Sequence, residues 1–127
     1  MKILLLPIFL LLFLFQSFAQ ADITFEKSEY DFGTYEEKDD TLWVSFKYKN
    51  TGNEPLIISD IKTACECTLA DWVKKPVMPG QTGIVKAGYK YKAKVGTFNK
   101  SLTITANTTP AISHLTIKGV IVDKKVK

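Results

Sequence analysis

The sequence contains no arginine, one histidine and two cysteines among its 127 residues. Arginine has the planar side chain best suited to phosphates and guanine edges, so its absence argues against nucleic-acid binding although the net charge is +4. A nucleophile needs a nearby base and a third group that orients that base. Because His114 is the only histidine and no phosphate loop, HExxH or CxxC motif occurs, the sequence predicts no catalytic residue, no cofactor and no enzyme.

A long hydrophobic run occurs only at the N-terminus, from Ile3 to Phe15, where it follows Lys2 and precedes small residues that end at Ala19. This pattern is typical of a secretory signal peptide. A membrane anchor needs about 20 apolar residues, whereas this run is shorter and contains Pro7. We therefore expect residues 1–19 to be cleaved and residues 20–127 to be exported to the periplasm, the cell surface or the medium, without a membrane span.

The charges of the mature chain are unevenly distributed. Residues 22–40 contain eight acidic residues and two lysines, whereas residues 81–127 contain nine lysines and one acidic residue. Such a split can steer a partner or favour head-to-tail contacts. The alternative is that these charges lie on solvated outer faces of strands and turns.

The central segment from Val44 to Thr68 carries the clearest structural pattern. Apolar and polar residues alternate from Val44 to Lys49, as in a strand with one face in a core and one in water. Residues 50–53, Asn-Thr-Gly-Asn, predict a turn, because asparagine and glycine tolerate the backbone angles that tight turns require. The apolar pattern resumes from Leu56 to Ile61, so we expect two strands followed by a cysteine loop.

Similar short segments recur along the rest of the mature chain, around residues 23–25, 30–33, 82–91, 98–106 and 113–122. About seven or eight short strands roughly ten residues apart, with no convincing helix, predict an all-β fold, an antiparallel two-sheet sandwich. A small closed barrel is the alternative. Because repeats and linkers are absent, residues 20–127 are expected to form a single domain.

The stretch after the cysteines is predicted to be an irregular crossing. Pro76, Pro79 and Gly80 interrupt it. Trp72, Val73 and Val77 are available there to cover an open end of the core.

Two polar features are interpreted as surface groups. His114 alternates with the apolar residues of the last predicted strand and shares a face with Thr116 and Lys118, so we expect an exposed imidazole. The acidic cluster at residues 36–40 lacks the spacing of a calcium loop and is interpreted as a solvated hairpin loop.

The pair Cys65-Glu66-Cys67 is the one unusual motif. On an extended strand their α-carbons would lie roughly 6.5 to 7 Å apart, so a disulfide requires a distorted turn. Three interpretations stay open: a structural or incidental pair that includes a local disulfide, a redox or partner contact, and a soft-metal site for an ion such as Cu(I). A zinc site would need two further ligands.

Several motifs, in this order, resemble a family of exported bacterial proteins catalogued as a domain of unknown function: Tyr30-Asp31-Phe32-Gly33, Phe46-Lys47-Tyr48-Lys49-Asn50-Thr51-Gly52, Glu54-Pro55-Leu56-Ile57-Ile58, Cys65-Glu66-Cys67-Thr68, Pro79-Gly80 and Gly96-Thr97-Phe98-Asn99-Lys100. The resemblance implies an immunoglobulin-like sandwich of seven to eight strands, similar to pilus chaperones, sperm major proteins and cilium-associated proteins. It implies no activity. Glu66 stands where the family usually has glycine.

The expected function follows from the fold and the export signal. We expect a non-catalytic module of the bacterial cell envelope with a structural or protein-interaction role, which contacts an envelope protein through its strand edges or end loops. The alternative is a thiol-based redox or copper-binding module that uses Cys65 and Cys67.

Overall fold

The computed structural model describes residues 19–36, 41–90 and 95–123. Two predictions therefore lie largely outside the described residues: the signal peptide at residues 1–19, of which only Ala19 is described, and most of the charged loop at residues 36–40. Tyr91, the last residue of the segment predicted at residues 82–91, lies outside them as well.

The described residues form eight strands and no helix: β1 (Ile23–Phe25), β2 (Glu29–Glu36), β3 (Thr41–Asn50), β4 (Ile58–Thr63), β5 (Thr68–Trp72), β6 (Thr82–Lys90), β7 (Gly96–Ala106) and β8 (Ile112–Val122). They build two four-stranded sheets, with strand orders β1-β3-β6-β5 and β2-β8-β7-β4. The predicted all-β, two-sheet architecture is confirmed.

The pairs within the sheets are antiparallel except for β2 and β8, which run parallel. The register of this parallel pair shifts between Asp31 and Thr34, where Gly33 adopts a φ of +76°. A bulge of this kind inserts residues that have no direct partner, and glycine reaches the left-handed region without strain. The motif around Gly33 therefore marks a break within one strand.

The core lies between the sheets and is built from alternate residues of the long strands. Phe46, Tyr48, Val85, Leu102 and Ile117 are buried, while their neighbours in sequence point outward or are less buried. Across the sheets, the rings of Tyr89 and Phe98 stack with centroids 3.9 Å apart. The period-two pattern thus predicted the inward faces of β3, β6, β7 and β8 correctly.

The stretch after the cysteines is more regular than expected. Thr68–Trp72 forms β5, an edge strand that pairs with β6, and the irregular crossing begins only after it. Val77 is buried and forms an isolated bridge with Leu56, as a residue that covers the core end should. Val73, in contrast, is 45% exposed, so its predicted contribution to the core was wrong.

Asn50 at the end of β3 joins three separate segments, although it is completely buried. Its side-chain amide donates to the carbonyl oxygens of Glu54, at 2.7 Å, and Val77, at 2.9 Å. Its side-chain oxygen accepts from the amides of Gly52, at 3.0 Å, and Asp22, at 3.4 Å. A buried polar side chain is tolerated because all its hydrogen-bonding capacity is used.

Gly52 is required by the close approach of two backbones. The N-terminal segment of residues 20–22 runs beside the turn, and a Cβ at position 52 would lie 2.6 Å from the Asp22 nitrogen. No side chain tolerates that distance, because real Cβ contacts are longer. The asparagine and glycine of the predicted turn are therefore needed for packing as well as for chain reversal.

Candidate functional site

The two cysteines form a closed three-residue ring in the turn between β4 and β5. Cys65 and Cys67 are joined by a disulfide, and their α-carbons are 5.3 Å apart. An extended strand would hold them farther apart, so the chain bends at this point, within the range that disulfides require. Both cysteines are half-buried and Glu66 between them is exposed.

Thr68 anchors this disulfide turn to the body of the protein. Its buried hydroxyl lies 3.6 Å from the sulfur of Cys65 and 3.9 Å from that of Cys67. The Thr68 amide donates to the Cys65 carbonyl oxygen at 3.2 Å, and the Lys90 amide in β6 donates to the Cys67 carbonyl oxygen at 2.7 Å. The threonine that follows the cysteine pair is therefore part of the same local structure.

The disulfide turn connects edge strands of the two different sheets. β4 ends the second sheet and β5 ends the first, so the turn crosses from one sheet to the other along one side of the sandwich. At the far end of β5, the indole nitrogen of Trp72 donates to the Ile58 carbonyl oxygen at 3.3 Å. The ammonium of Lys74 lies 2.9 Å from the centroid of the Trp72 ring, in the position of a cation–π contact.

The four edge strands differ in how well they could accept an added strand. β1 has only three residues, and both β2 and β4 contain a register shift. β5 pairs with β6 without a shift from Thr68 to Trp72. Short edges and bulges are devices that block strand addition, so among the described strands β5 presents the most regular free edge.

The hydrogen-bond pattern identifies which groups of β5 face outward. The amide of Lys90 donates to the carbonyl oxygen of Cys67, so these two residues form a hydrogen-bonded pair of the β5–β6 ladder. In an antiparallel ladder, every second residue along the strand forms such a pair. Leu69 and Asp71 therefore bond to β6. The amide and carbonyl of Ala70 point away from the sheet, whereas the Thr68 amide is already bonded to the Cys65 carbonyl oxygen.

Trp43 is a prominent surface residue that was not among the candidate functional residues predicted from the sequence. It lies on the outer face of β3, is 52% exposed and pairs with Gly88 of β6, which in turn pairs with Leu69 of β5. The sequence did contain an indication of this exposure. Trp43 alternates with the inward-facing residues Val44, Phe46 and Tyr48, so the pattern places it on the solvent side of the strand.

The remaining predicted surface groups have simple surroundings. His114 is exposed in β8 opposite Thr103, as expected. Lys118 of β8 forms an ion pair with Glu29 of β2, and this hydrogen bond and charge, with a further contribution from Asp31, raise the pKa of Lys118 above 10.5. The acidic and basic parts of the sequence thus meet within the molecule, at the parallel strand pair.

Neither a metal site nor a membrane span is visible in the described part of the chain. Within residues 19–36, 41–90 and 95–123, no three His, Cys, Asp or Glu side chains come together as a metal-binding group. The same residues contain no helix long and apolar enough to cross a bilayer.

Solved structures with similar folds establish the fold type. A protein of unknown function from Porphyromonas gingivalis W83 has a TM-score of 0.71 at 17% identity, over 85% of this chain and 50% of that chain. PapD-like domain 7 of human CEP192 has a TM-score of 0.67 at 8% identity, over 87% and 92% of the two chains. The YadV chaperone has a TM-score of 0.53 at 13% identity, over 84% and 54%. The predicted immunoglobulin-like sandwich is confirmed.

The present chain spans half the length of the Porphyromonas gingivalis protein. No curated protein matches the sequence. A family model does: residues 23–121 match the family described as "Protein of unknown function (DUF1573)".

Proposed function

This chain belongs to the DUF1573 family, and from its fold and its free edges we propose that it is an exported, non-catalytic module that binds another protein of the cell envelope. The binding element is the edge of β5. The signal-peptide pattern of residues 1–19 supports the export step, and the PapD-like fold supports an interaction role by analogy.

The observation that carries this proposal is that β5 lies at the edge of its sheet and pairs with β6 without a register shift. An extended segment of a partner gains main-chain hydrogen bonds when it lies beside such an edge, and alternate side chains then provide specificity. The outward amide and carbonyl of Ala70 supply one donor and one acceptor for this ladder. Leu69 and Asp71 are exposed on the outer face, where they offer one apolar and one acidic contact to the partner.

Position-specific crosslinking in the native envelope tests the proposal. A photoreactive amino acid is placed at Leu69 or Asp71 of β5 and, as matched controls, at Thr24 of β1 and Lys62 of β4, all of which are exposed. We expect one discrete adduct from the β5 positions and none from the controls. Adducts of equal yield from all edges, or none from β5, would contradict the proposal.

A proline variant tests whether the ladder itself is used. Ala70→Pro removes an outward-facing amide but none of the bonds between β5 and β6, so the folded protein should persist and the β5 adduct should disappear. Far-ultraviolet circular dichroism checks the fold. An undiminished adduct in a folded Ala70→Pro protein would exclude strand addition at β5.

A second candidate function uses the disulfide, because Cys65 and Cys67 close a small, half-exposed ring next to β5. In this role a thiolate of a partner dithiol attacks one sulfur, forms a mixed disulfide and displaces the other sulfur as a thiolate. The partner's second thiol then resolves the mixed disulfide, so the partner is oxidised and this pair is reduced by two electrons. The reduced pair would also provide the two sulfur ligands of a Cu(I) site.

The redox state in the cell distinguishes this candidate. Protein from native envelope is alkylated at once and its intact mass is measured with and without prior reduction. A mixture of oxidised and reduced forms that shifts when envelope dithiol oxidoreductases are removed supports the thiol role. A fully oxidised pair that never changes, together with an unaltered phenotype of the Cys65→Ser, Cys67→Ser protein, excludes it.

A further inference from the structure

The outer face of the first sheet carries a surface groove that strand addition at β5 would touch only through Asp71. The groove has a volume of about 490 Å³ and is lined by Trp43, Val44, Ser45, Asp71 and Lys86. It crosses β3, β6 and β5. Concave sites with an apolar wall and a few polar groups are the usual form of small-ligand sites.

Trp43 forms the wall of this groove and is held in place from below. The six-membered ring of the indole occupies the space above Gly88 where a side chain would lie, since a Cβ there would be 2.8 to 3.0 Å from three of its carbon atoms. Glycine at position 88 therefore allows the indole to pack against the backbone of β6. This packing orders the side chain and still leaves it 52% exposed.

Three polar side chains of different chemistry lie beside the indole in one row across the sheet. Ser45 pairs with Lys86, and Lys86 pairs with Asp71, so a hydroxyl, an ammonium and a carboxylate occupy neighbouring strands. Among the ion pairs of the described residues, none involves Lys86 or Asp71. Both charges are therefore available to a ligand.

We propose that this groove binds a sugar ring of a polysaccharide. A pyranose has a face of C–H groups that packs on an exposed indole, and its rim carries hydroxyls that both donate and accept hydrogen bonds. Asp71 would accept from these hydroxyls, and Lys86 would donate to them, as charge-assisted bonds. The combination of one ordered aromatic surface with a donor, an acceptor and a hydroxyl matches a sugar better than an apolar peptide side chain, which would leave both charges without partners.

Tryptophan fluorescence provides a direct test, because the chain has only two tryptophans. In the Trp72→Phe protein the emission comes from Trp43 alone. Soluble oligomers of N-acetylglucosamine, glucose, mannose and galacturonic acid are titrated into this protein. We expect a saturable change in emission with at least one of them, and the same sugar should bind the unmodified protein in calorimetry.

Groove variants then locate the site. Trp43→Ala should abolish binding, and Asp71→Asn and Lys86→Met should each weaken it about tenfold through the loss of a charge-assisted hydrogen bond. Lys49→Met is the matched control, because Lys49 is an exposed lysine on the same face of β3 and lies outside the groove. It should bind like the unmodified protein.

Three results would overturn the proposal. The first is the absence of a saturable change with all four sugars. The second is sugar binding that survives Trp43→Ala in a protein whose thermal unfolding is unchanged. The third is a Trp43 emission that changes on dilution of the protein and not with sugar, which would make this face a contact between copies. None of these results bears on crosslinking at Leu69, which lies in β5 outside the groove lining, so that crosslink and the sugar titration test the two proposals separately.

Discussion

Replacement of Asn50 by alanine should destabilise the protein more than any other loss of a single polar side chain described above. The side chain has no exposed surface and its four hydrogen bonds connect the turn after β3 to the N-terminal segment and to the crossing before β6. Alanine fits the space but satisfies none of these partners. The variant therefore measures how strongly this one residue holds the three segments together.

The expected loss can be worked out from the partners. A buried group that loses its only partner costs about 1–3 kcal/mol, and a retained hydrogen bond contributes about 0.5–1.5 kcal/mol. The Val77 carbonyl keeps a backbone donor, and the bond from Asp22 is long at 3.4 Å, so both losses are small. The Glu54 carbonyl and the Gly52 amide lose the short bonds, which are partly buried. We expect Asn50→Ala to reduce the free energy of unfolding by about 3 kcal/mol.

Urea denaturation of residues 20–127 at equilibrium measures this loss, and Asn107→Ala is the matched control. The Asn107 side chain also joins two backbone groups, since it accepts from the Ile57 amide at 2.7 Å and donates to the Pro55 carbonyl at 2.9 Å, but it is exposed. Water can replace its bonds, so its loss should cost less than about 1 kcal/mol. Equal losses in the two variants, at unchanged m-value, would refute the argument from burial.

Three further predictions concern stability. Gly52→Ala should lower the free energy of unfolding by at least about 2 kcal/mol, because the added Cβ overlaps the neighbouring backbone. Gly80→Ala should lower it by only about 1 kcal/mol, because Gly80 has a φ of +82° but lies in open space. The urea midpoints of the two variants measure this difference. In the double variant Cys65→Ser, Cys67→Ser the free energy of unfolding should fall by no more than about 1.6 kcal/mol, because a three-residue ring restricts the unfolded chain very little. A larger fall would mean that the ring stabilises the native state directly. Burial raises the pKa of the Tyr48 hydroxyl above 10.0, so this group loses its proton at a lower pH in the unfolded chain than in the folded protein. The folded state is therefore favoured below pH 10, and this contribution to stability is lost as the pH rises through the folded-state pKa. Thermal unfolding from pH 8 to pH 11 should show this loss, and Tyr48→Phe should reduce it; an identical alkaline loss in the variant would assign it to other groups.

The candidate site was only partly predictable from the sequence. The cysteine pair was recognised by its spacing, and His114 was correctly assigned to the surface because its neighbours Leu115 and Ile117 follow a strict alternation. The same alternation placed Trp43 on the solvent side, but its importance depends on Gly88, which is 45 positions away in sequence. A pattern within one strand carries no information about which strand lies beside it.

The strand period, the all-β class, the inward faces of the long strands and the turn after Asn50 could be predicted from the sequence, because these features depend on local alternation and on the backbone preferences of neighbouring residues. The three-dimensional structure was needed to show that β2 runs parallel to β8, that Asn50 bonds to the distant Asp22 and Val77, and that Ser45, Lys86 and Asp71 form one row beside Trp43. The physical reason is the same in each case. These contacts join residues far apart in sequence, and their free energy depends on the order and register of the strands, which arise when the two sheets pack around the core between them.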